Sequence, residues 1–495
     1  MMIRTVLSTA CCLGALALAS TAQAETLRDA LAAAYANNPT LTAQRANVRV
    51  ADENVPLAKA AGLPSVDGTV TYQENVLQGQ PLPSGFFSDP DRQIIAQLAL
   101  DVPLVQFGAV RNSIRAAEQR VMASRFGLRS TEAELFTAVV GAYMDVLRDE
   151  AVVRLNQRNL EVLEFTLEET RERKAAGNRG PTDVAQAEAR VYLAQSQLAN
   201  AQSQLVTSRE TYIRLVGTPP AALDSPPPLP SMPQSAAAAV NKAYDNNPQL
   251  LAATAELRAT EFDVESAVGQ SRPQLSGIAG LNQFDFLDSL QTGTGPRNNQ
   301  QGTTAFVGLR LSIPFFQGGR ASATIRQAQA RQSVAIEQKL EAERLLVADA
   351  RSAFATWQYA EIVTRAAERG VQSNEVVVEG LRAETRAGFR PLLDRLNAEQ
   401  ELLNAEVTLV TARRDAYVAG FALLAAMGMA EARNLNLDSV VLYDPTIYYD
   451  ETRNRIFQFG RDPAPQPASI DTRETPTQDA KVAPGDTPPV PDMSE

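Results

Sequence analysis

Two acidic residues occupy the same place in two copies of a short motif, and they are the clearest candidates for chemistry. Asp183 follows the segment AGNRGPT, and Asp394 follows AGFRPLL, 211 residues further along the chain. The Gly and Pro residues of both segments predict a break between two helices, so each carboxylate falls in the first turn of the second helix. A carboxylate in that position stabilises the helix dipole by about a few tenths of a kcal/mol, and it can also attract cations.

The residue types in the rest of the chain exclude most catalytic chemistry. The 495 residues include no histidine, and the two cysteines are Cys11 and Cys12. Without residues 1–24 the chain could form no disulfide, no Cys- or His-based metal site and no nucleophile–His triad. An enzyme would need a site made of carboxylates alone, and the carboxylates do not cluster in the sequence. We therefore predict no catalytic site, no metal and no cofactor. The net charge of −11 argues against nucleic acid as a partner.

The N-terminal segment has the features of a secretory signal peptide. Arg4 supplies a positive charge, an apolar run follows over residues 6–19, and Ala22-Gln23-Ala24 is a typical small-residue cleavage site. The apolar run is too short to span a bilayer as a helix. A lipoprotein signal is the alternative, but Cys11 and Cys12 lie too early in the segment to fit it. We predict that residues 1–24 direct the chain out of the cytoplasm.

The chain is predicted to be a tandem duplication. AYANNPTL at Ala34–Leu41 recurs as AYDNNPQL at Ala243–Leu250, and later matches lie 211 residues apart, as between Gly217 and Gly428. The period of about 200 residues is too long for a solenoid repeat. Asn-Asn-Pro in both phrases predicts a helix end and restart, with Asn as N-cap and Pro in the first turn. We divide the chain into a first repeat, a Pro-rich linker, a second repeat, a peripheral C-terminal segment and a disordered Pro-rich tail, at residues 25–217, 218–233, 234–428, 429–460 and 461–495.

Each repeat contains a pair of segments in which apolar and polar residues alternate. They cover about residues 65–75 and 93–103 in the first repeat and about 274–284 and 304–314 in the second. A period of two predicts strands with one apolar and one polar face. Long polar loops join the strands of each pair, which is typical of membrane β-barrels. The alternative is an ordinary sheet whose apolar face packs on a soluble core.

Each repeat becomes helical after its strands. A heptad spacing of apolar and small residues runs over residues 135–174, and it recurs 211 residues later over residues 346–385. Helices with the same spacing follow the two Gly-containing breaks, so we predict long helical hairpins at about residues 108–217 and 319–428. Many seam residues are Ala, Thr or Asn, which indicates lateral packing into a larger helical wall.

The number of strands decides how such a chain could enter a membrane. No segment after the signal peptide is long and apolar enough for a membrane-spanning helix, so a membrane role would require strands. Four strands cannot close a membrane barrel, because the smallest barrels have about eight. An open sheet in lipid would leave unpaired backbone groups at its edges. Three chains would together supply twelve strands, and their hairpins would form a helical tube. Such a barrel in an exported protein would lie in a bacterial outer membrane.

This combination resembles the TolC family of outer membrane efflux proteins over the whole chain between signal peptide and tail. The resemblance is carried by the paired Asn-Asn-Pro phrases, strand pairs that end in Val-Pro-Leu and Ile-Pro-Phe, the QFG and QGG turns, and the AGNR…D and AGFR…D tips. It implies a mainly α fold with a membrane β-barrel portion. In this fold a homotrimer forms a twelve-strand β-barrel in outer membrane lipid, and the barrel continues into a twelve-helix periplasmic tunnel.

The family resemblance also implies a function and partners. Family members are exit ducts for drug efflux or type I protein secretion. They work with a periplasmic adaptor, also called a membrane fusion protein, and with an inner-membrane RND pump or ABC transporter. The alternative is a periplasmic coiled-coil adaptor or structural protein without a pore. An adaptor would have one helical hairpin flanked by other domains, so two hairpins from a duplication argue against it.

By resemblance, the functional residues lie at the hairpin tips. Asp394 matches an acidic constriction at the periplasmic end of the tunnel, and Asp183 would add a pseudo-equivalent set. Asn397 stands where some relatives have a second acid, which weakens the case for block of the pore by divalent cations. Arg390 and Arg179 are candidates for stabilising the closed gate. The adaptor-docking tips would comprise Gly177, Asn178, Arg179, Gly388, Phe389 and Arg390.

Overall fold

The structure is a computed structural model that describes residues 24–76, 90–177, 180–230, 232–290, 300–435, 437, 441–457, 460 and 463–482. The described residues form nine helices and four strands, which confirms the predicted mainly helical fold with a few strands. In chain order these elements are α1 (Leu27–Asn37), α2 (Pro39–Ala60), β1 (Ser65–Glu74), β2 (Arg92–Val105), α3 (Ala109–Ala175), α4 (Pro181–Val216), α5 (Ala236–Asn246), α6 (Pro248–Gln270), β3 (Gln274–Asp285), β4 (Gln301–Ser312), α7 (Arg320–Arg386), α8 (Leu392–Ala426) and α9 (Pro445–Thr452). None of the helices in the described ranges has both the length and the apolar composition that a membrane crossing requires. Residues 1–23 of the predicted signal peptide lie outside the described residues.

The repeated Asn-Asn-Pro phrase forms the same junction in both repeats. Asn38 caps α2, because its side-chain oxygen accepts a hydrogen bond from the first turn of that helix, and its amide donates to the carbonyl of Leu215 at 3.0 Å. Asn247 caps α6 in the same way and donates to the carbonyl of Ala426 at 3.3 Å. The phrase therefore ends one helix and starts the next. Its second Asn also forms a hydrogen bond with the C-terminal end of α4 in the first repeat and of α8 in the second.

The four strands form one antiparallel sheet in the order β1-β2-β3-β4, and the pairing of β2 with β3 joins the two repeats. The register places the apolar residues of both repeats on the same face, as in the row Val66, Leu100, Ala279 and Val307. No described part of the chain covers this face, since Val70 is 77% exposed and Val307 is 89% exposed. Strands β1 and β4 are the two edges of the sheet. Within the described residues, the apolar face of the sheet is therefore not packed on a core.

The opposite face of the sheet is mainly polar, although Ile95, Ile278, Phe284 and Phe306 also lie on it. One row across all four strands consists of Thr69, Gln97, Asn282 and Thr304. Asp101 of β2 and Arg310 of β4 lie on the same face and form a salt bridge of 3.6 Å. The sheet thus separates an apolar surface from a hydrophilic one, as a sheet must if one side contacts lipid and the other contacts water.

The two longest helices start directly after the strands. Helices α3 and α7 have 67 residues each, so each is about 100 Å long at 1.5 Å per residue. Gly108 and Gly319 precede them with φ angles of 87° and 84°, a left-handed conformation that glycine adopts without strain. Helix α3 packs along α4, and α7 packs along α8, so each repeat contains one long hairpin. Heptad positions of α3 are buried in these contacts, including Leu135, Val139, Ala142 and Val146.

The Pro-rich linker packs against the base of the hairpins. Leu223 forms a parallel bridge with Glu25 at the start of the first repeat. Tyr417 of α8 donates a hydrogen bond to the carbonyl of Pro227 at 3.0 Å. Tyr143 of α3 lies in the main core, and its hydroxyl is 2.6 Å from the carbonyl of Asp224. The linker is therefore non-helical but held by side chains of both repeats.

The chain after α8 returns to the first repeat. Tyr448 of α9 donates a hydrogen bond to Glu53 of α2 at 2.7 Å, and Lys59 of α2 donates to the carbonyl of Arg453 at 2.9 Å. Residues 463–482 contain no helix or strand, but they are not detached from the protein. Arg209 of α4 donates to the carbonyls of Asp479 and Lys481 at 2.7 and 3.2 Å. The composition predicted disorder throughout the tail, whereas this part of it lies against α4.

Glu132 of α3 contacts the start of this returning segment, and its largely buried carboxyl makes stability depend on pH. Burial raises the pKa of Glu132 from its ordinary value to about 6, although its hydrogen bond from the backbone N–H of Ala432 acts in the opposite direction. This carboxyl stabilises the fold below its unfolded-state pKa of 4.5, and that contribution is lost as the pH rises through 6. Glu132→Gln is therefore expected to stabilise the protein more at pH 8 than at pH 4, by a difference of about 2 kcal/mol.

Thermal unfolding of the detergent-solubilised protein at several pH values measures this difference. Glu134→Gln is the matched control, because Glu134 is exposed two residues away on the same helix. An unchanged pH dependence in Glu132→Gln would contradict the assignment to Glu132.

Candidate functional site at the hairpin tips

The second hairpin turns through a Schellman motif. Gly388 has a φ angle of 84°, its N–H donates to the carbonyl of Thr385 at 3.2 Å, and the N–H of Phe389 donates to the carbonyl of Glu384 at 2.9 Å. Pro391 then forms the N-cap of α8. The side chain of Phe389 is 82% exposed at the turn. The backbone geometry that Gly and Pro impose thus presents an aromatic side chain at the very end of the hairpin.

The structure brings Arg390 and Asp394 together. Arg390 Nη1 lies 3.8 Å from Asp394 Oδ2, and Arg390 Nε donates to Glu384 at 3.1 Å. Glu384 belongs to α7 and Asp394 to α8, so within one chain Arg390 connects the two helices of the second hairpin. Both Arg390 and Asp394 remain partly exposed, so the carboxylate is accessible to ions and to a neighbouring chain.

The first hairpin tip is described in part. Gly177 has a φ angle of 79°, and the N–H of Gly180, the N-cap residue of α4, donates to the side chain of Asp183 at 3.3 Å. Asp183 therefore has the helix-capping role that its position in the first turn of α4 predicts. Asn178 and Arg179 lie outside the described residues.

A network of charged side chains joins the two hairpins just behind the tips. Arg395 of α8 donates to Glu399 at 3.0 Å and to Thr166 of α3 at 3.2 Å, and it lies 3.7 Å from Glu169 of α3. Arg382 of α7 donates to the same oxygen of Glu399 at 3.1 Å. The side chain of Glu399 is only 4% exposed, so this carboxylate depends on the two guanidinium groups for its stability.

An apolar cluster supports the charged network. It contains buried residues of α3, α4 and α8: Leu163, Leu167, Val184, Ala187, Val191, Ala194, Leu392 and Leu396. Next to it, Arg190 of α4 donates a hydrogen bond to the side-chain oxygen of Asn397 at 2.6 Å. Asn397, where the sequence lacks a second acid, is thus a contact between the two hairpins. Helix α8 is the element through which the hairpins meet near their tips.

The sequence analysis missed Arg395 and Glu399, although the duplication contains a signal for them. Arg382 and Glu399 lie 211 residues after Arg171 and Glu188, and each pair forms a salt bridge, at 3.1 and 2.9 Å. The Arg171–Glu188 bridge is exposed, whereas Glu399 is buried. The difference arises at Arg395, because the equivalent position in the first repeat is Val184. Alignment of the repeats could have identified Arg395 as an added charge, but not the α3 residues that it contacts.

The described residues of the tips present charged groups and one exposed aromatic ring. In the part of the chain that the structure describes, no group of three or more His, Cys, Asp or Glu residues could hold a metal ion.

Two long hairpins that continue from an uncovered, two-faced sheet define the class of outer membrane channel proteins. The crystal structure of the Campylobacter jejuni CmeC outer membrane channel has the same fold, with a TM-score of 0.72 and 17% identity over 87% of this chain and 89% of CmeC. The chain matches the family described as outer membrane efflux protein over residues 30–218 and 239–429, one range in each predicted repeat.

Two curated relatives agree with this match. The outer membrane efflux protein BepC of Brucella suis is 31% identical over 88% of this chain and 92% of BepC. The alkaline protease secretion protein AprF of Pseudomonas aeruginosa is 28% identical over 69% of this chain and 71% of AprF. The chain belongs to the outer membrane efflux protein family, which confirms the resemblance seen in its motifs. This is a family of outer membrane transport channels rather than enzymes.

Proposed function

We propose that the protein is a trimeric exit duct, through which substrates leave the cell across the outer membrane. The observation that carries this proposal is the uncovered sheet, which has an apolar face, a polar face and two open edges in a single chain. Pairing of β4 of one chain with β1 of the next would remove every edge. Three chains would give a barrel of twelve strands with the polar face toward its lumen.

The long helices support the same assembly. Helices α3, α4, α7 and α8 of three chains would form a tunnel of twelve helices in the periplasm. In the single chain, α7 exposes apolar side chains along much of its length, including Val334, Ile336, Leu345, Ile362 and Val376. Contact with the hairpins of neighbouring chains would bury such residues and supply the hydrophobic stabilisation that one chain lacks.

We propose that the hairpin tips close the periplasmic end of this tunnel. Asp394 of three chains would form an acidic ring of charge up to about −3, which favours cations as charged rings do in other pores. Asp183 would contribute a pseudo-equivalent carboxylate from each first hairpin. Arg390 would hold the second tip together, and Arg179 is the matching candidate at the first tip. The Arg395–Glu399 network would keep the two hairpins of each chain in contact in the closed state.

The partners would bind at the exposed tips. Gly177, Asn178, Arg179, Gly388, Phe389 and Arg390 would dock a periplasmic adaptor, which connects the duct to an inner-membrane RND pump or ABC transporter. Phe389 is suited to this role because an exposed aromatic side chain beside an arginine is a frequent anchor in protein interfaces. Since BepC is named as an efflux protein and AprF as a protease secretion protein, the cargo would be small molecules, exported proteins or both.

Disulfide cross-linking of neighbouring chains tests the trimeric barrel. The chain after residue 24 has no cysteine, so Thr69→Cys on β1 can be combined in turn with cysteine at Thr304, Phe306, Gly308 or Arg310 on the same face of β4. Within one chain β1 and β4 are separated by two strands, or roughly 14 Å, which is too far for a disulfide. At least one pair is expected to give covalent trimers on a non-reducing gel.

The single-cysteine variants are the controls and should migrate as monomers. Absence of oligomers in all four pairs would contradict the shared barrel. It would favour the alternative of a periplasmic coiled-coil protein without a pore.

A further inference from the structure

Four arginines from three parts of the chain line one cavity beside the docked C-terminal segment. The cavity has a volume of about 370 Å³. Arg45 comes from α2, Arg125 and Arg129 come from α3, and Arg433 comes from the segment after α8. The cavity lies about 65 Å from the end of α3 at the hairpin tip, given 1.5 Å per helical residue. It is therefore distinct from the gate residues.

Two carboxylates that line the cavity already accept hydrogen bonds, and a third lies close to Arg125. Glu431 accepts a hydrogen bond from Arg129 at 2.8 Å, and Glu132 accepts one from the backbone N–H of Ala432. Asp52 is fully buried and lies 3.6 Å from Arg125. Asp444, next to Tyr443, interacts electrostatically with Arg433 and Arg125. Four carboxylates thus lie near the four arginines, but only Glu132 and Glu431 line the cavity, so its lining has an excess of positive charge.

Several polar atoms at the cavity lack a hydrogen-bond partner in the described part of the chain. They include the hydroxyl of Tyr443, the Nε and Nη2 atoms of Arg125, and both carboxylate oxygens of Asp52, which lies 3.6 Å from Arg125 Nη2, beyond hydrogen-bond distance. Arg45 lies 4.3 Å from the ring centroid of Tyr35 and 5.4 Å from that of Tyr443, and its Nη2 donates a hydrogen bond to the carbonyl of Tyr35 at 3.0 Å. Buried donors in native proteins are nearly always satisfied by protein, water or ligand, so these groups point to a missing partner.

We propose that this cavity binds a small anionic compound. Arg45, Arg125 and the Tyr443 hydroxyl would hold its phosphate or carboxylate head, since guanidinium groups match the geometry of oxyanions. An apolar part of the ligand would lie against Tyr35 and Leu442, which also line the cavity. The volume lies within the usual range of small-molecule sites, about 300 to 1,000 Å³. A bound anion would connect α2, α3 and the C-terminal segment, and it would hold that segment in place.

Titration calorimetry on the full-length protein in detergent, with phenyl phosphate and benzoate as probes at constant ionic strength, tests the proposal. Saturable binding of at least one probe is expected, and the stronger probe identifies the head group as phosphate or carboxylate. Arg45→Gln should weaken binding by roughly tenfold or more, because a hydrogen bond to a charged group is lost. Arg28→Gln on α1 is the control and should leave the affinity unchanged, since Arg28 is exposed and does not line the cavity.

Tyr443→Phe keeps the test decisive if Arg45→Gln does not fold. Removal of an unpartnered hydroxyl should be nearly neutral for stability, so a loss of affinity in Tyr443→Phe reports on the ligand. A second expected result is slower tryptic cleavage after Arg453 or Arg455 when the probe is bound. Absence of saturable binding for both probes, or equal affinity in all variants, would overturn the site and leave ordered water as the partner of these groups.

Discussion

Asp394→Ala is expected to raise the single-channel conductance in a planar bilayer and to reduce the preference of the channel for cations. Three carboxylates around a narrow axis concentrate cations, and each contributes about 1 kcal/mol to a cation at 4 Å in water. After screening by salt, loss of the ring should reduce the cation-to-anion permeability ratio on the order of tenfold. Arg390 would then lose a carboxylate at 3.8 Å, and its charge would shift the selectivity further toward anions.

The controls separate the ring from general surface charge. Glu401→Ala removes an exposed carboxylate from the same helix, seven residues beyond Asp394, and should leave both quantities unchanged. Asp183→Ala should change the conductance and the cation preference less than Asp394→Ala does. If Asp394→Ala has the conductance and selectivity of the unmodified protein, then Asp394 does not form the constriction.

Arg395→Ala is expected to open the closed tip and to raise the conductance severalfold. The substitution removes the only described side chain that bonds both to Glu399 and to Thr166 of the other hairpin. It also leaves Glu399 buried with Arg382 alone, and loss of one partner from a buried ion pair costs about 3 to 5 kcal/mol. Separation of the hairpins lets Glu399 reach water, so the open state becomes relatively more stable.

The duplication provides a matched control for this experiment. Arg171→Ala breaks the Arg171–Glu188 bridge, which occupies the equivalent place in the first hairpin but is exposed. Such bridges contribute about 0 to 1 kcal/mol, so the conductance should hardly change. Equal effects of Arg395→Ala and Arg171→Ala, or no effect of either, would show that the buried network does not hold the tip closed.

Local sequence patterns were sufficient to predict the strands and the main helices, because each pattern is caused by interactions within a few residues. The alternation over β1 to β4 follows from one apolar face, and the Asn-Asn-Pro phrases follow from the capping of α2 and α6. The sequence also placed Asp183 and Asp394 in the first helical turns, because Gly and Pro fix the preceding breaks. These features need no knowledge of distant contacts.

Contacts between distant residues were not predictable in the same way. Arg395 meets Thr166 across 229 residues of chain, and heptad spacing alone does not specify which helix α8 contacts. The composition of the tail predicted disorder, yet Arg209 donates hydrogen bonds to the carbonyls of residues 479 and 481 and lies 3.7 Å from the side chain of Asp479. The pairing of β2 with β3 likewise requires the relative position of the two repeats.

The most direct test of the exit duct combines mass and conductance. The protein would be purified from the membrane in detergent, its oligomeric state measured by light scattering, and the same sample recorded in a planar bilayer. We expect a trimer that forms channels of small, cation-selective conductance. A water-soluble monomer that forms no channel would contradict the duct.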